Sequence, residues 1–209
     1  MVNIAVLVSG GGTNLQAILD AQARGDIKNG QVCAVISSSD KAYALERAKN
    51  AGVPGYVIKK KDYPSGAAYC EALAAFLKEK DVGLVVLAGF MTVLDAAFCK
   101  AFENRIINVH PSLIPSFCGD GFYGLHVHEA ALAKGVKVTG ATVHFVNAVT
   151  DGGPIIAQKA VCVEAGDTPE ILQKRVMAQA EHILLPRVVS LFCEGRLTVS
   201  DDGIVTIAE

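Results

Sequence analysis

The sequence predicts an α/β fold in which a mostly parallel β-sheet is covered by helices on both faces. In the first half of the chain, short apolar segments alternate with amphipathic segments, which is typical of repeated strand–helix–strand units with right-handed crossovers. The apolar segments are apolar at nearly every position rather than at every second one. Strands that are buried on both faces have this pattern, so we expect the sheet to lie between two layers of helices.

The first half supplies five predicted strands and four predicted helices. Leu15, Ile18 and Leu19 share one face of the first helix, and Gly25 and Gly52 follow the first and second helices as stop signals. The predicted strands are NIAVLVS, VCAVISS, GYVIK, VGLVVLAGF and RIINVH. The predicted helices are TNLQAILDAQARG, AYALERAKNAG, AAYCEALAAFLKEK and DAAFCKAF.

The second half has a different pattern. Residues 111–127 are rich in glycine and proline and show no period, so we expect a long loop there. The segments TGATVHFVNA and PIIAQKAVCV are expected to form an antiparallel pair. A long helix should then begin at Thr168 as N-cap, with Pro169 and Glu170 in its first turn, and bend or break at Pro186. The segment LTVSDDGIVTI is expected to form a terminal hairpin.

Composition narrows the class of protein. The 209 residues are 51% hydrophobic and 19% charged, and the net charge of −2 provides no basic field for nucleic acid. The amino terminus lacks a basic start, and no apolar run reaches the roughly 18 residues that span a bilayer, so neither a targeting signal nor a membrane partner is expected. Six scattered cysteines without a C-x-x-C pair predict reduced thiols and a cytoplasmic location. We therefore expect small-molecule substrates, and both a monomer and a homodimer stay open.

The segment SGGGTNLQA, between the first strand and the first helix, is the first candidate binding site. Such a turn presents backbone N–H groups and the positive end of a helix to an anion. Gly10 and Gly12 fit the dinucleotide-binding pattern, but Leu15 stands where a third glycine is required, and no P-loop lysine follows. This favours a monophosphate site, and a plain turn with Thr13 as helix N-cap is the alternative. Asp40 lies where a ribose-binding acid would, and we expect it instead to cap the next helix.

Asn108 and His110 form a second candidate site at the carboxyl end of the fifth strand. They share parity, so both side chains should point to the same side of the sheet, at the end where ligand crevices form. Asp151 precedes Gly-Gly-Pro and should be held on a constrained turn. An amide can donate to an oxyanion, an imidazole can donate or move a proton, and a carboxylate can raise the imidazole pKa. The structural alternatives are an amide bonded to a turn, a satisfied core histidine and an ordinary turn aspartate.

The histidines are also candidate metal ligands. His126 and His128 form an H-x-H pair, and further donors are available from His110, His144 and Asp151. Their spacing fits no compact zinc motif, so no metal is predicted. A thiol nucleophile at Cys118 is a weaker alternative, because nothing around it indicates activation.

Five motifs, taken in order, resemble one enzyme family. They are LVSGGGTNLQAIL, VVLAGFM, INVHPSLIPSF, GATVHFV and TDGGPII, and the similarity runs from about residue 2 to about residue 200. Together they resemble the phosphoribosylglycinamide formyltransferases, folate-dependent enzymes of purine biosynthesis. The resemblance implies one domain, 1–209, with a Rossmann-like half (1–110) that carries the phosphate-binding turn and a half (111–209) that completes the folate pocket. It also implies transfer of the formyl group of 10-formyltetrahydrofolate, the co-substrate, to the amine of phosphoribosylglycinamide, without a metal.

The resemblance assigns residues to three sets. The catalytic set is Asn108, His110 and Asp151. The ribonucleotide set is Gly12, Thr13 and Asn14 at the phosphate, and Glu181 at the ribose hydroxyls. The folate set is Met91, Thr92, Val93, Leu94 and Asn108.

Four features depart from the family pattern. Gly66 stands where many members carry a basic residue, and the lysines at 59–61 are candidates to replace it. Thr92 stands where an arginine is frequent. The segment FCGDGFYGLHVH is longer than the PGLH form of the family, and RVMAQAEH has one residue more before Glu181.

The main alternative is formyltetrahydrofolate deformylase, a hydrolase with the same three catalytic residues and water as the acceptor. That family usually carries an extra N-terminal regulatory domain, for which no room is expected before a first strand that starts at residue 3. Methionyl-tRNA formyltransferase normally has a further basic C-terminal domain, unlike this acidic chain. A regulatory nucleotide-binding module without catalysis is a third alternative, and the intact Asn108, His110 and Asp151 argue against it.

Overall fold

The computed structural model describes residues 1–208. The strands are β1 Val2–Val8, β2 Gly30–Ser37, β3 Gly55–Val57, β4 Val82–Leu87, β5 Ile106–His110, β6 Val138–Phe145, β7 Ile155–Cys162, β8 Leu197–Val199 and β9 Val205–Ile207. The helices are α1 Thr13–Ala23, α2 Ala44–Asn50, α3 Gly66–Glu79, α4 Ala96–Ala101, α5 Leu125–Lys134, α6 Pro169–Val176 and α7 His182–Cys193. A 3-10 turn, Lys60–Asp62, precedes α3, and a π-helical turn, Met177–Glu181, joins α6 to α7.

Seven strands form one sheet in the order β3-β2-β1-β4-β5-β6-β7. Strands β1 to β5 are parallel, and β6 and β7 are each antiparallel to the strand before them. Strands β2 and β3 follow β1 on one side, and β4 and β5 are added on its other side, so the strand order reverses between β1 and β4. A ligand crevice is expected at this point, at the carboxyl ends of the strands. The predicted parallel sheet, the antiparallel pair and the terminal hairpin, β8 with β9, are confirmed.

The sheet is buried on both faces, as the unbroken apolar segments predict. Along β1, the side chains of Ile4, Val6 and Val8 belong to one core layer, and those of Ala5 and Leu7 belong to the other. Helices α1, α6 and α7 pack on the first layer, while α3 and α4 pack on the second. Full burial of each large side chain contributes about 1.5–3 kcal/mol, so a slip of one residue in β1 would be strongly unfavourable.

The expected loop over residues 111–127 ends earlier than predicted, because α5 begins at Leu125. The start of α5 follows Gly124 and has no side-chain cap, and its buried residues are only Val127, His128 and Ala131. A short helix without a capping residue or a wide apolar face gives little sequence signal. Gly135, with a φ of 73°, ends the helix in the left-handed conformation.

The long C-terminal helix starts as predicted but is irregular at a different place. Thr168 caps it, because its hydroxyl accepts a hydrogen bond from the Ile171 N–H at 3.3 Å. The predicted break at Pro186 is wrong: Pro186 lies inside α7, which is held by its buried side chains, and the irregularity is the π turn before it. By length and composition Pro169–Cys193 is apolar enough to cross a membrane, and 61% of that apolar window is buried inside the protein, as in a core helix.

Candidate active site

A cavity of about 690 Å³ opens at the carboxyl ends of β1, β4 and β5. Its wall is formed by the segments that follow these strands, together with part of the loop before α5, the turn that carries Asp151, and the α6–π-turn face. This is the crevice expected where the strand order reverses. All residues that the sequence assigns to the three sets lie in this one wall: Gly12, Thr13, Asn14, Met91, Thr92, Val93, Leu94, Asn108, His110, Asp151 and Glu181.

The glycine turn between β1 and α1 has the geometry of an anion cradle. Gly12 has a φ of 71°, and a Cβ there would lie 2.6 Å from the Cβ of Ala44, so only glycine fits between α1 and α2. Among the described residues, none accepts a hydrogen bond from the N–H groups of Gly10, Gly11 or Gly12. Thr13 is the first residue of α1 rather than its N-cap, so the alternative of a plain capped turn is wrong. These free N–H groups and the positive end of α1 face the same region.

Glu181 faces the glycine turn from the opposite wall of the cavity. Asn14 Nδ2 donates a hydrogen bond of 2.6 Å to Glu181 Oε2, and only 6% of Glu181 is exposed. Burial raises the pKa of this carboxyl to about 7, although the hydrogen bond from Asn14 opposes the shift. Glu181 is the last residue of the π turn, in which the N–H of His182 donates to the carbonyl of Met177, five residues back.

Asn108, His110 and Asp151 meet through a fourth residue, His144. In the β5–β6 pairing Asn108 lies directly opposite His144, and their Nδ2 and Nε2 atoms are 3.2 Å apart. His144 Nδ1 donates a hydrogen bond of 2.8 Å to the carbonyl of Phe145, which can only accept, and this bond fixes the orientation of the ring. Asp151 contacts both rings: Oδ2 lies 3.3 Å from His110 Nδ1, and Oδ1 lies 3.6 Å from His144 Nε2.

Asp151 is fixed by its backbone and by the loop before α5. Its φ is 52°, a left-handed conformation that aspartate tolerates better than most residues. Gly153 follows, and a Cβ there would overlap the carbonyl of Phe145, which explains the glycine at that position. The N–H of Gly119 donates to Asp151 Oδ2 at 2.9 Å. The carboxylate is therefore held in one orientation toward His110.

The electrostatics of the pair differ from the sequence-based expectation. Burial lowers the pKa of His110, and this outweighs the negative charge of Asp151 and the hydrogen bond to the Phe117 carbonyl, which both raise it. Burial raises the pKa of Asp151, but the interactions with His144, the Gly119 N–H and the His110 ring outweigh burial, and the pKa lies below its usual value. In the free protein, burial of the imidazole therefore opposes the effect of the Asp151 charge on the His110 pKa. His110 Nε2 donates a hydrogen bond of 2.8 Å to the Phe117 carbonyl, which can only accept.

The H-x-H pair does not form a joint site. His126 is exposed and contacts Glu129 at 2.9 Å, whereas His128 is fully buried and lines the cavity. Neither ring nitrogen of His128 has a hydrogen-bond partner, and burial, with a contribution from His110, lowers its pKa to about 4. Within residues 1–208, no group of three or more His, Cys, Asp or Glu side chains is arranged to hold a metal ion.

Three other sequence candidates have structural roles. Cys118 Sγ donates to the Pro115 carbonyl, and burial, followed by the charge of Asp151, raises its pKa, which is the opposite of an activated thiol. Asp40 does not cap α2 but forms an ion pair with Lys59 at 2.7 Å. Lys60 lies beside Gly66: a Cβ at Gly66 would be 3.6 Å from Lys60 Nζ, so this lysine occupies the space next to the missing basic side chain.

The segment Met91–Leu94 forms an apolar rim of the cavity. Val93 and Met91 are 74% and 58% exposed, while Leu94 is buried in the second core layer. Ser9 anchors the segment, since its hydroxyl accepts a hydrogen bond from the Met91 N–H at 2.9 Å. Among the described residues that line the cavity there is no lysine or arginine.

Sequence reasoning missed two residues of this site. His144 was considered only as a metal ligand, although a histidine in an otherwise apolar strand that pairs with the Asn108 strand indicates a neighbour of Asn108. The sequence indicates His128 only as one half of the H-x-H pair, because its burial in the cavity wall depends on the packing of α5.

Comparison with known proteins identifies the family. The family model described as formyl transferase matches residues 2–189. The chain is 42% identical to phosphoribosylglycinamide formyltransferase of Escherichia coli, with 97% of this chain and 92% of that protein aligned. It is 39% identical to the chloroplastic phosphoribosylglycinamide formyltransferase of Vigna unguiculata, of whose length it spans 65%.

Solved structures give the same result. A glycinamide ribonucleotide transformylase from Symbiobacterium toebii superposes with a TM-score of 0.93 at 48% identity, covering 100% of this chain and 95% of that one. A formyltetrahydrofolate deformylase from Pseudomonas syringae shares the fold, with a TM-score of 0.87 at 24% identity, and this chain covers 66% of it. The chain therefore belongs to the formyl transferase family, and within it to the phosphoribosylglycinamide formyltransferases.

Proposed function

We propose that this protein transfers the formyl group of 10-formyltetrahydrofolate to the amine of phosphoribosylglycinamide, giving formyl-phosphoribosylglycinamide and tetrahydrofolate, as a step of purine biosynthesis. The observation that carries the proposal is the meeting of Asn108, His110 and Asp151 in the wall of a cavity that also contains the free N–H groups of the glycine turn. An acyl-transfer set and a monophosphate cradle together match this pair of substrates.

The reaction begins with attack of the amine nitrogen on the formyl carbon. A C–N bond forms and the carbonyl electron pair moves onto oxygen, giving a tetrahedral oxyanion. Asn108 Nδ2 lies 3.2 Å from His144 Nε2 and carries two N–H groups, so at least one of them is available to that oxyanion. His110 Nε2–H, which donates to Phe117 in the free protein, is the second candidate donor. Loss of one such donor typically raises the barrier by about 3 kcal/mol.

Proton transfer is assigned to the His110–Asp151 pair. The attacking amine becomes positively charged and must lose a proton before the intermediate collapses. His110 Nδ1 faces Asp151 Oδ2 at 3.3 Å, so the imidazole and the carboxylate can hold one proton between them. The bond from the formyl carbon to the folate nitrogen then breaks, and the proton passes to that leaving nitrogen. Holding both substrates in one cavity supplies much of the remaining rate enhancement.

Each substrate has a proposed place in the wall. Gly12, Thr13 and Asn14 hold the phosphate, and Glu181, opposite Asn14, contacts the ribose hydroxyls. The Met91–Leu94 segment lines the folate site, where its exposed apolar side chains favour a flat aromatic ligand. The proposed mechanism uses no metal ion at the catalytic, ribonucleotide or folate residues. The proposal further places the protein in the cytoplasm, as a monomer or homodimer that acts on small molecules and binds neither nucleic acid nor membrane.

An activity assay with two acceptors tests the proposal against the deformylase alternative. The protein is incubated with 10-formyltetrahydrofolate in the presence of phosphoribosylglycinamide, and separately with water alone. We expect formylated ribonucleotide only in the first reaction, with the same rate in EDTA. Formate release without an acceptor, at the same rate, would instead identify a hydrolase. Loss of activity in EDTA that zinc restores would contradict the metal-free mechanism.

A further inference from the structure

The cavity wall poses an electrostatic problem for a phosphorylated substrate. Its described lining residues include three acids, Asp120, Asp151 and Glu181, and no lysine or arginine. A phosphate monoester carries up to two negative charges at neutral pH, and enclosing it in such a wall is unfavourable without a compensating positive charge. The helix α1 terminus provides only about half a charge.

Arg47 of α2 lies directly behind the glycine turn. Its Nε donates a hydrogen bond of 2.8 Å to the carbonyl of Gly11, and its Nη1 donates one of 3.0 Å to Gln16 Oε1 on α1. The guanidinium also lies over the ring of Tyr43, 5.0 Å from its centroid. The planar guanidinium therefore links α2 to both the turn and α1, a fork geometry that lysine cannot reproduce.

The carbonyl oxygens of Gly10 and Gly11 both accept hydrogen bonds from residues of α2. The N–H of Ala44 donates to the carbonyl of Gly10 at 3.1 Å, beside the bond from Arg47 to Gly11. With these oxygens held on the α2 side, the peptide N–H groups of the turn are left for the cavity. Arg47 thus fixes the orientation of the donors without itself lining the cavity.

The charge of Arg47 is also uncompensated. Within residues 1–208 no carboxylate lies within ion-pair distance of its guanidinium, whereas Arg24, Arg175 and Arg196 each have an acidic partner. The hydrogen bond to Gly11 places this charge next to the peptide groups that face the cavity. Peptide groups polarised by a cation behind them are stronger donors to an anion in front of them.

We propose that Arg47 is a positioning residue for the phosphate of the acceptor, which orients the glycine turn and supplies the positive charge that the cavity wall lacks. This inference rests on the proposed function for the identity of the phosphorylated ligand.

The test compares Arg47→Met and Arg47→Lys with Lys49→Met, a control that removes the same charge from the same helix. Each variant is assayed with phosphoribosylglycinamide and with its dephosphorylated riboside, and its affinity for inorganic phosphate is measured by calorimetry. For Arg47→Met we expect a KM for the phosphorylated acceptor about 10-fold higher or more, because a hydrogen bond to a charged group is lost. The kcat and the folate KM should stay within about 2-fold of the unchanged protein, and Arg47→Lys should recover part of the loss.

Two comparisons separate positioning from general damage. With the riboside, Arg47→Met should equal the unchanged protein, because there is no phosphate to hold. Four results would each overturn the inference. Two concern Arg47→Met: an unchanged KM for the phosphorylated acceptor, or an equal loss of activity with the riboside. The other two are a KM of Arg47→Lys no better than that of Arg47→Met, and a KM increase in Lys49→Met equal to that in Arg47→Met. If the unchanged protein transfers no formyl group, the proposed function is refuted. In that case, weaker binding of inorganic phosphate by Arg47→Met than by the unchanged protein would still support the role of Arg47.

Discussion

Glu181 combines deep burial with a single strong partner. Its carboxylate accepts the hydrogen bond from Asn14, yet burial still raises its pKa to about 7. The carboxyl is therefore partly protonated near neutral pH in the free protein. A ligand that donates hydroxyl hydrogens to Glu181 would favour the ionised form, so binding of the ribonucleotide should release a proton.

Replacement of this acid predicts a stability change that depends on pH. Because the folded pKa is about 7 against 4.5 in an unfolded chain, the stability that Glu181 contributes is full below pH 4.5 and is lost as pH rises to 7. We expect Glu181→Gln to be about 3 kcal/mol more stable than the unchanged protein at pH 8 and about equally stable at pH 4.5. Urea unfolding at both pH values measures this, and a difference that is the same at both would contradict the assigned pKa.

His128 should have the opposite pH dependence. Its folded pKa of about 4 lies below the 6.5 of an unfolded chain, so its contribution to stability is full above pH 6.5 and is lost as pH falls toward 4. On acidification from pH 7 to pH 4 or below, the free energy of unfolding should fall by about 3 kcal/mol less in His128→Leu than in the unchanged protein. The variant should also be no less stable at pH 7, since an unpaired buried imidazole disappears.

His126→Gln is the matched control for this prediction. His126 lies on the same helix two residues away and is exposed, and its ring contacts Glu129 and Tyr123. Its replacement should leave the acid sensitivity unchanged. If both variants lose acid sensitivity equally, the effect belongs to the exposed face of α5 and not to the buried imidazole.

At the scale of elements, the π turn holds one residue more than a regular helical turn, beside the site. A π turn accommodates one additional residue within a helix while the flanking turns keep their faces. Leu172 and Val176 before it and Leu184 and Leu185 after it all belong to the same core layer. Glu181, at the end of the π turn, points to Asn14.

Deletion of the exposed Ala178 should therefore be tolerated. The deletion converts the π turn, Met177–Glu181, into regular α-helix without rotating α7 against α6. We expect a folded protein with a KM for phosphoribosylglycinamide within about 3-fold of the unchanged protein. Deletion of Arg187, an exposed residue of regular helix α7, should rotate its remaining residues by about 100° and abolish cooperative unfolding. Thermal unfolding and steady-state kinetics measure both deletions. If they lower the melting temperature and the activity equally, the π turn does not hold a residue that the fold can lose.

The elements that sequence reasoning predicted correctly are those with strong local signals. The strands of the parallel sheet have continuous apolar residues between glycine or helix boundaries, and Thr168 with Pro169 marks a helix start. Helix α5 lacks such signals, and its position depends on packing against the rest of the chain. The sequence predicts the irregularity of the long helix at Pro186, because proline lacks an N–H, whereas the hydrogen bonds that form the π turn follow only from the backbone conformation.

For the whole molecule, the site exists only because the two halves share one sheet. Asn108 and His110 end the last parallel strand, and the antiparallel strand β6, from the second half, brings His144 opposite Asn108. Parity predicted that Asn108 and His110 share a side, but the distance between His110 and Asp151, residues 41 positions apart, follows only from the fold. The direction of the His110 pKa shift also depends on the fold, because burial of the ring lowers this pKa more than the charge of Asp151 raises it.

The central claim is that Asn108, His110 and Asp151 act together on one reacting carbonyl. Single-turnover formyl transfer by His110→Ala, with folate affinity measured in parallel and His126→Ala as the control, tests it most directly. We expect the transfer rate of His110→Ala to fall by about 100-fold or more while folate affinity stays within a few-fold and the control remains fully active. Transfer by His110→Ala at close to the rate of the unchanged protein would contradict the claim.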